Sequence, residues 1–169
     1  MQQQSITAYR SATGALLTTL NSFTNETVNT KPSSNAWSAA QITDHLLKSQ
    51  SDFARMMQSG TKTKTERNPE ENKQKIEAIF LDYNNKMQSP KEIIPANDPF
   101  DKATIIESFS KSAEENINAA AANDISQTFA EYEFPGMGHF TGAEWLWFLT
   151  YHTQRHTHQM QQVLQTVSQ

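Results

Sequence analysis

Thr141-Gly-Ala-Glu144-Trp145-Leu-Trp-Phe-Leu149-Thr-Tyr-His152-Thr-Gln-Arg155-His156-Thr-His158-Gln159-Met160-Gln-Gln-Val163 is the stretch on which the fold turns. Thr141 with Glu144 three residues on makes a capping box, so a helix is expected to start here and run close to the C-terminus. On a wheel of about 100° per residue starting from Trp145, the residues Leu149, His152, His156 and Val163 lie within about 40° of it. Phe148, Gln159 and Met160 flank that stripe within about 60°, and His158 falls at about 220°. Two histidines therefore point inward and one points out.

The same helical period recurs upstream. Tyr9, Thr13, Leu16, Leu20 and Phe23 mark a first helix over about 3–24. Ser38 and Gln41 form a second capping box behind Trp37, and Ile42, His45, Leu46, Ser49, Phe53 and Met56 then share one face as far as Ser59-Gly60. Ile76, Phe80, Tyr83 and Met87 predict a helix from about Glu70 to Lys86, and Ile105, Ile106, Phe109, Ala113 and Ile117 one over about 102–123. Pro90, Pro95 and Pro99 keep the segment between those two extended. Phe129 to Phe140, with Pro135-Gly-Met-Gly138, is expected to be irregular, and no run alternates convincingly at period two. The pattern is that of an all-α chain, one domain over residues 1–169: a four-helix bundle with an additional short or broken helix.

Composition removes several classes of function. Cysteine is absent, which excludes disulfides, thiolate metal sites and thiol nucleophiles. A net charge of −4 with scattered Lys and Arg argues against a nucleic-acid partner, and Lys62-Thr-Lys64 beside Arg67 reads as a solvated loop. The N-terminal residues carry no apolar leader, and the run Trp145 to Leu149 falls far short of the ~20 residues that span a bilayer. No membrane partner and a cytoplasmic location are the expectations.

Chemistry enters with the histidines. His152 and His156, four apart, project their rings to one side of a helical turn, where two neutral imidazoles can share a divalent ion at about 2.0–2.1 Å each. Buried without one, each ring needs a donor and an acceptor partner. His45 lies on the inward face of the second helix, and of the five histidines these three alone face inward. Bundles build metal sites from side chains on facing helices, and three protein ligands leave an open position. Arg155 and Gln159 flank the stripe as candidates to position a substrate carboxylate or a metal-bound water; Arg155 reads equally as a surface cation and Gln159 as a hydrogen-bond partner for a ligand. Asp44 is expected to be exposed, since neighbours in a helix do not share a face. His139 falls in the loop before the last helix, away from the site.

Two of these stretches resemble a known family. Trp37-Ser-Ala-Ala-Gln-Ile-Thr-Asp-His45-Leu is similar to the N-terminal tryptophan-to-histidine signature of the DinB-like (YfiT-like) superfamily, and His152-Thr-Gln-Arg-His156-Thr-His-Gln159 to its C-terminal HxxRHxxQ signature. Ser89-Pro-Lys-Glu-Ile-Ile-Pro95 and the approach from Phe134 to Trp145 are similar to the family's linker and helix start. The resemblance implies an up-down-down-up bundle, often dimeric, with a zinc, nickel or iron ion on three histidines, which here are His45, His152 and His156.

The functional expectation is a metal-dependent enzyme acting on a small molecule. A three-histidine ion with an open position can ionise water for hydrolysis, or hold a thiolate. The second route, transfer of a low-molecular-weight thiol, is known among relatives of the superfamily. The alternatives are a non-catalytic metal-binding or stress-associated homodimeric bundle and a homodimeric interaction module whose metal site has lapsed.

Overall fold

The computed structural model describes residues 1–168. Among the described residues there are six α-helices: α1 (Gln2–Asn21), α2 (Ala39–Gln50), α3 (Phe53–Ser59), α4 (Lys73–Phe80), α5 (Lys102–Ala122) and α6 (Gly142–Val167). Both capping boxes form. The Ser38 hydroxyl accepts from Gln41 N while Gln41 Oε1 accepts from Ser38 N, and Thr141 and Glu144 do the same at the start of α6. Helix α1 packs against α5 and α6, and α2 packs against the same two.

Two apolar clusters fill the space between them. One joins Ile6 and Tyr9 of α1 with Ile117 and Ala120 of α5 and with Leu146 and Leu149 of α6. The other joins Leu16 and Leu20 with Ile42 and Leu46, with Ile105 and Phe109, and with Met160 and Val163. The helices thus bury the stripes that their periodicity marks.

The chain is mostly helical, with a small sheet rather than helices throughout. The stretch from Phe129 to Phe140, expected to be irregular, lies in an antiparallel hairpin of β2 (Thr128–Phe134) and β3 (Gly138–Thr141), to which β1 (Lys62–Thr63) adds a third strand. Gly136 and Gly138 turn the hairpin at φ +76° and +72°, where a side chain would strain the backbone. The hairpin hands the chain straight into α6, and Gly142 passes so close that a Cβ there would meet Ile125 Cα at 2.9 Å.

Two expected helices are shorter. The run from Ser38 to Ser59 bends at Ser51-Asp52 into α2 and α3. There the buried Gln50 accepts from Tyr9 Oη at 2.7 Å and donates to Ser112 Oγ at 3.0 Å, while Asn116 Nδ2 donates to the Gln50 carbonyl at 3.3 Å. Helix α4 begins at Lys73 and stops at Phe80 rather than extending to Lys86, because Asp82 accepts from Asn84 N in an Asx turn that competes with the helix. The Lys62 to Arg67 stretch is also less free than a solvated loop: Arg67 forks onto Glu144, at 2.6 Å to each oxygen, and Glu144 is 0% exposed. Among the described residues no helix is long and apolar enough to cross a membrane.

Candidate metal centre

Helix α2 supplies His45, and one turn of α6 supplies His152 and His156. All three are buried, at 2%, 6% and 8% exposure. Their ring nitrogens converge: His152 Nε2 lies 3.1 Å from His45 Nε2 and 3.0 Å from His156 Nε2. Two nitrogens each held at ~2.0–2.1 Å by one tetrahedral ion stand about 3.3 Å apart, so the spacing is that of ligands around a common centre. Among the described residues, this is the group of three or more side chains whose donor atoms all lie within 4.8 Å of one another.

Proton counting sharpens the fit. His45 Nδ1 sits 2.9 Å from the Ile93 carbonyl, which only accepts, so the proton is on Nδ1 and the lone pair on Nε2. His156 Nδ1 faces Gln159 Oε1 at 2.8 Å with the same consequence. His152 Nε2 therefore meets two lone pairs and can offer a hydrogen to one of them at most. If it does, its Nδ1 becomes an acceptor with no partner, and that atom is buried without a hydrogen bond. If the hydrogen is on Nδ1 instead, three lone pairs meet with nothing between them. A cation at the centre resolves the meeting of lone pairs, with the His152 proton then on Nδ1, which keeps no acceptor among the described residues.

Burial disfavours an imidazolium in that place. Burial pushes His152 well below its ordinary value, reinforced by His156 and His45, and pushes His156 down to about 3. Burial also lowers His45, against the opposing pull of the Ile93 carbonyl. Neutral imidazoles are the form that ligates metals.

The centre forms the floor of a cleft of about 920 Å³, which all three histidines line. Aromatic rings flank it. Trp37 lies 4.9 Å from the His45 ring and 6.4 Å from that of His156, centroid to centroid. Phe148 stacks on His152 at 5.2 Å and Phe80 meets the same ring edge-on at 5.6 Å. Among the described residues no carboxylate lines the cleft and no fourth side chain joins the ligand group.

The family model for the DinB superfamily matches residues 8–160 of this chain. The chain belongs to the DinB superfamily. It is 27% identical over 149 residues to the Uncharacterized protein YuaE of Bacillus subtilis (strain 168), a match that covers 88% of this DinB-superfamily chain and 90% of that one. No solved structure matches it.

The remaining sequence candidates separate clearly. Gln159 holds His156, as described. Arg155 lines the cleft, but its guanidinium donates to the carbonyls of Phe80 (3.1 Å), Asp82 (2.9 Å) and Asn85, tying the loop after α4 to α6. His139 is exposed on β3, outside the cluster. His158 is half-buried at the cleft rim rather than on an outer face, stacked on Tyr83 at 4.1 Å. Asp44 is not a free surface group either: its side chain is 16% exposed and it accepts from Ala96 N at 2.9 Å. With Gln41 donating to Ala96 O and Lys48 to Ile94 O, it fastens residues 93–96 along α2, and this strap brings the Ile93 carbonyl to His45. The sequence held one trace of it, polar side chains at 41, 44, 45 and 48 on one side of a helix.

Proposed function

We propose that this DinB-superfamily protein is a metal-dependent enzyme whose divalent ion is held by Nε2 of His45, His152 and His156. The observation that carries the reading is the convergence of three neutral ring nitrogens, two of them fixed as lone-pair donors by Ile93 and Gln159. A zinc, nickel or iron ion at such a site, with a position open to the cleft, supplies an acidified water or a stabilised thiolate.

The chain's own residues do the rest. Gln159 and Ile93 fix which nitrogen of each ring faces inward, an orientation that keeps imidazoles basic. Trp37, Phe80 and Phe148 keep water from the flanks of the rings. Arg155 fastens the loop that borders the cleft. The substrate is a small molecule. The cleft wall carries no carboxylate to act as a general base, which supports thiol transfer over hydrolysis.

The bundle is read as up-down-down-up. Support comes from the two clusters, in which the early part of α1 meets the late part of α5 and the early part of α6, as that order requires. A homodimer and a cytoplasmic location rest on the family resemblance and on the sequence expectations given above.

Elemental analysis of the purified protein, with calorimetric titration of Zn²⁺ and Ni²⁺, tests the centre. About one ion per chain is expected, and His152→Ala should abolish binding while the helical circular dichroism persists. Full occupancy in that variant would overturn the ligand assignment. A thiol-plus-electrophile screen then tests the reaction class.

A further inference from the structure

The cleft above the three histidines has a charge pattern at odds with the chain that forms it. The protein has 18 acidic and 14 basic residues, yet no Asp or Glu lines this space. Both cations that line it, Lys86 and Arg155, are without an ion pair among the described residues. The guanidinium of Arg155 is engaged only by carbonyl oxygens, which leave its charge uncompensated. The floor adds to this. Three neutral imidazoles do not cancel the charge of a divalent ion, so all fixed charge facing the space is positive. A low-dielectric cleft lined by one sign of charge focuses its field on ligands of the other sign.

The walls select in a second way. Trp37 borders His45 and His156, Phe80 and Phe148 border His152, and all three rings line the cleft. Towards the mouth, Tyr83 and Met87 are 47% and 44% exposed. At about 920 Å³ the space is far larger than an inorganic anion needs and suits an organic molecule of moderate size. A fully hydrated anion would leave those rings wet, and an uncharged apolar molecule would leave the cationic floor unanswered.

We infer that the cleft takes a small organic anion with an apolar body, its charged atom turned to the three-imidazole floor and its body against the aromatic rings that line the cleft. This rests on the metal reading above and adds the chemical class of the ligand. Lys86, exposed at the rim, supplies attraction without touching the ligand group.

The test uses the full chain loaded with Co²⁺, whose visible absorption reports changes in its ligands. Three probes are titrated: naphthalene-2-carboxylate, acetate and 2-naphthylmethylammonium. The aryl carboxylate should perturb the cobalt spectrum and bind at least about tenfold more tightly than either of the others. Lys86→Gln should weaken it about two- to fivefold while Co²⁺ affinity is unchanged. Equal affinity for acetate overturns the role of the walls, equal affinity for the ammonium overturns the charge selection, and either result ends the inference. If Co²⁺ does not bind, the metal reading fails and takes this one with it. If Co²⁺ binds and the aryl carboxylate does not, the ligand class alone is wrong.

Discussion

Replacing His152 with leucine should make the metal-free protein more stable, an outcome opposite to that of removing an ordinary core histidine. His152 is 6% exposed, its Nδ1 is buried without a partner, and its Nε2 faces two lone pairs. A buried polar group left unsatisfied costs about 1–3 kcal/mol. Leucine carries no such group, and its methyls would lie against Phe80 and Phe148, the rings that now border the imidazole. His45 and His156 line the cleft and keep their Nδ1 partners, the Ile93 carbonyl and Gln159 Oε1. The metal-free variant should therefore gain about 1–3 kcal/mol, which for a chain of this length raises the melting temperature by about 2–12 °C. With metal the order reverses. An ion present at a thousand times its dissociation constant stabilises the wild type by about 4.1 kcal/mol and should leave the variant unmoved. Differential scanning calorimetry on chelator-treated protein, with and without Zn²⁺, measures all four states. A metal-free His152→Leu protein that melts several degrees below the metal-free wild type would show that the histidine is satisfied by the protein itself, and the case for an ion at this point would collapse.

Gln159→Leu removes the acceptor that holds His156 Nδ1, and metal affinity should fall about 10- to 100-fold with the fold intact; unchanged affinity by calorimetry would mean that the amide plays no part in orienting the ring. Acid should destabilise the metal-free protein. Burial lowers the three imidazoles, His156 to about 3, so below the unfolded value of about 6.5 the unfolded chain binds more protons and stability falls as pH drops towards about 3. Urea midpoints that stay level from pH 7 to 4.5, or that track those of His152→Leu without divergence, would refute this. Arg67→Ala strands a carboxylate that is 0% exposed, and chemical denaturation should report a loss of about 3–5 kcal/mol; a loss under about 1 would mean that the backbone N–H groups of Asn72 and Thr141 suffice for Glu144.

What could be read from the sequence was what is settled locally. The starts of α2 and α6 are fixed within four residues by Ser38 with Gln41 and Thr141 with Glu144, and both formed as expected. The bend after α2 depends on partners far along the chain, and the segment after the Asx turn that stops α4 is held by one. Arg155 reaches the carbonyls of 80, 82 and 85, and Tyr9, Ser112 and Asn116 gather around Gln50. The hairpin escaped for another reason. Along Thr128-Phe-Ala-Glu-Tyr-Glu-Phe134 the residues Ala130, Tyr132 and Phe134 alternate with Glu131 and Glu133, but the run is short, and the residue that is buried, Phe129, shares its face with the two glutamates. Its remaining marks were aromatic and β-branched residues before a Pro-Gly turn, which read as irregular chain just as well.

The site divides along the same line. Which residues face the centre follows from helical period and could be read from spacing. Which nitrogen each ring presents does not, because for His45 it is decided by the backbone carbonyl of Ile93, and a backbone carbonyl has no signature in sequence. The carbonyl is brought there by Gln41, Asp44 and Lys48, polar residues that look like solvent-facing ones until the strap is seen against them. Gln159 makes the same point from the other side. Its place on the wheel marked it as inward, which is correct, but wheel position cannot separate a group that meets substrate from one that holds a ligand. Three residues after His156 and 2.8 Å from its Nδ1, it is spent on the ring. Gln159 and the strap residues therefore act by fixing the rings in place, and Arg155 by holding the loop that borders the cleft.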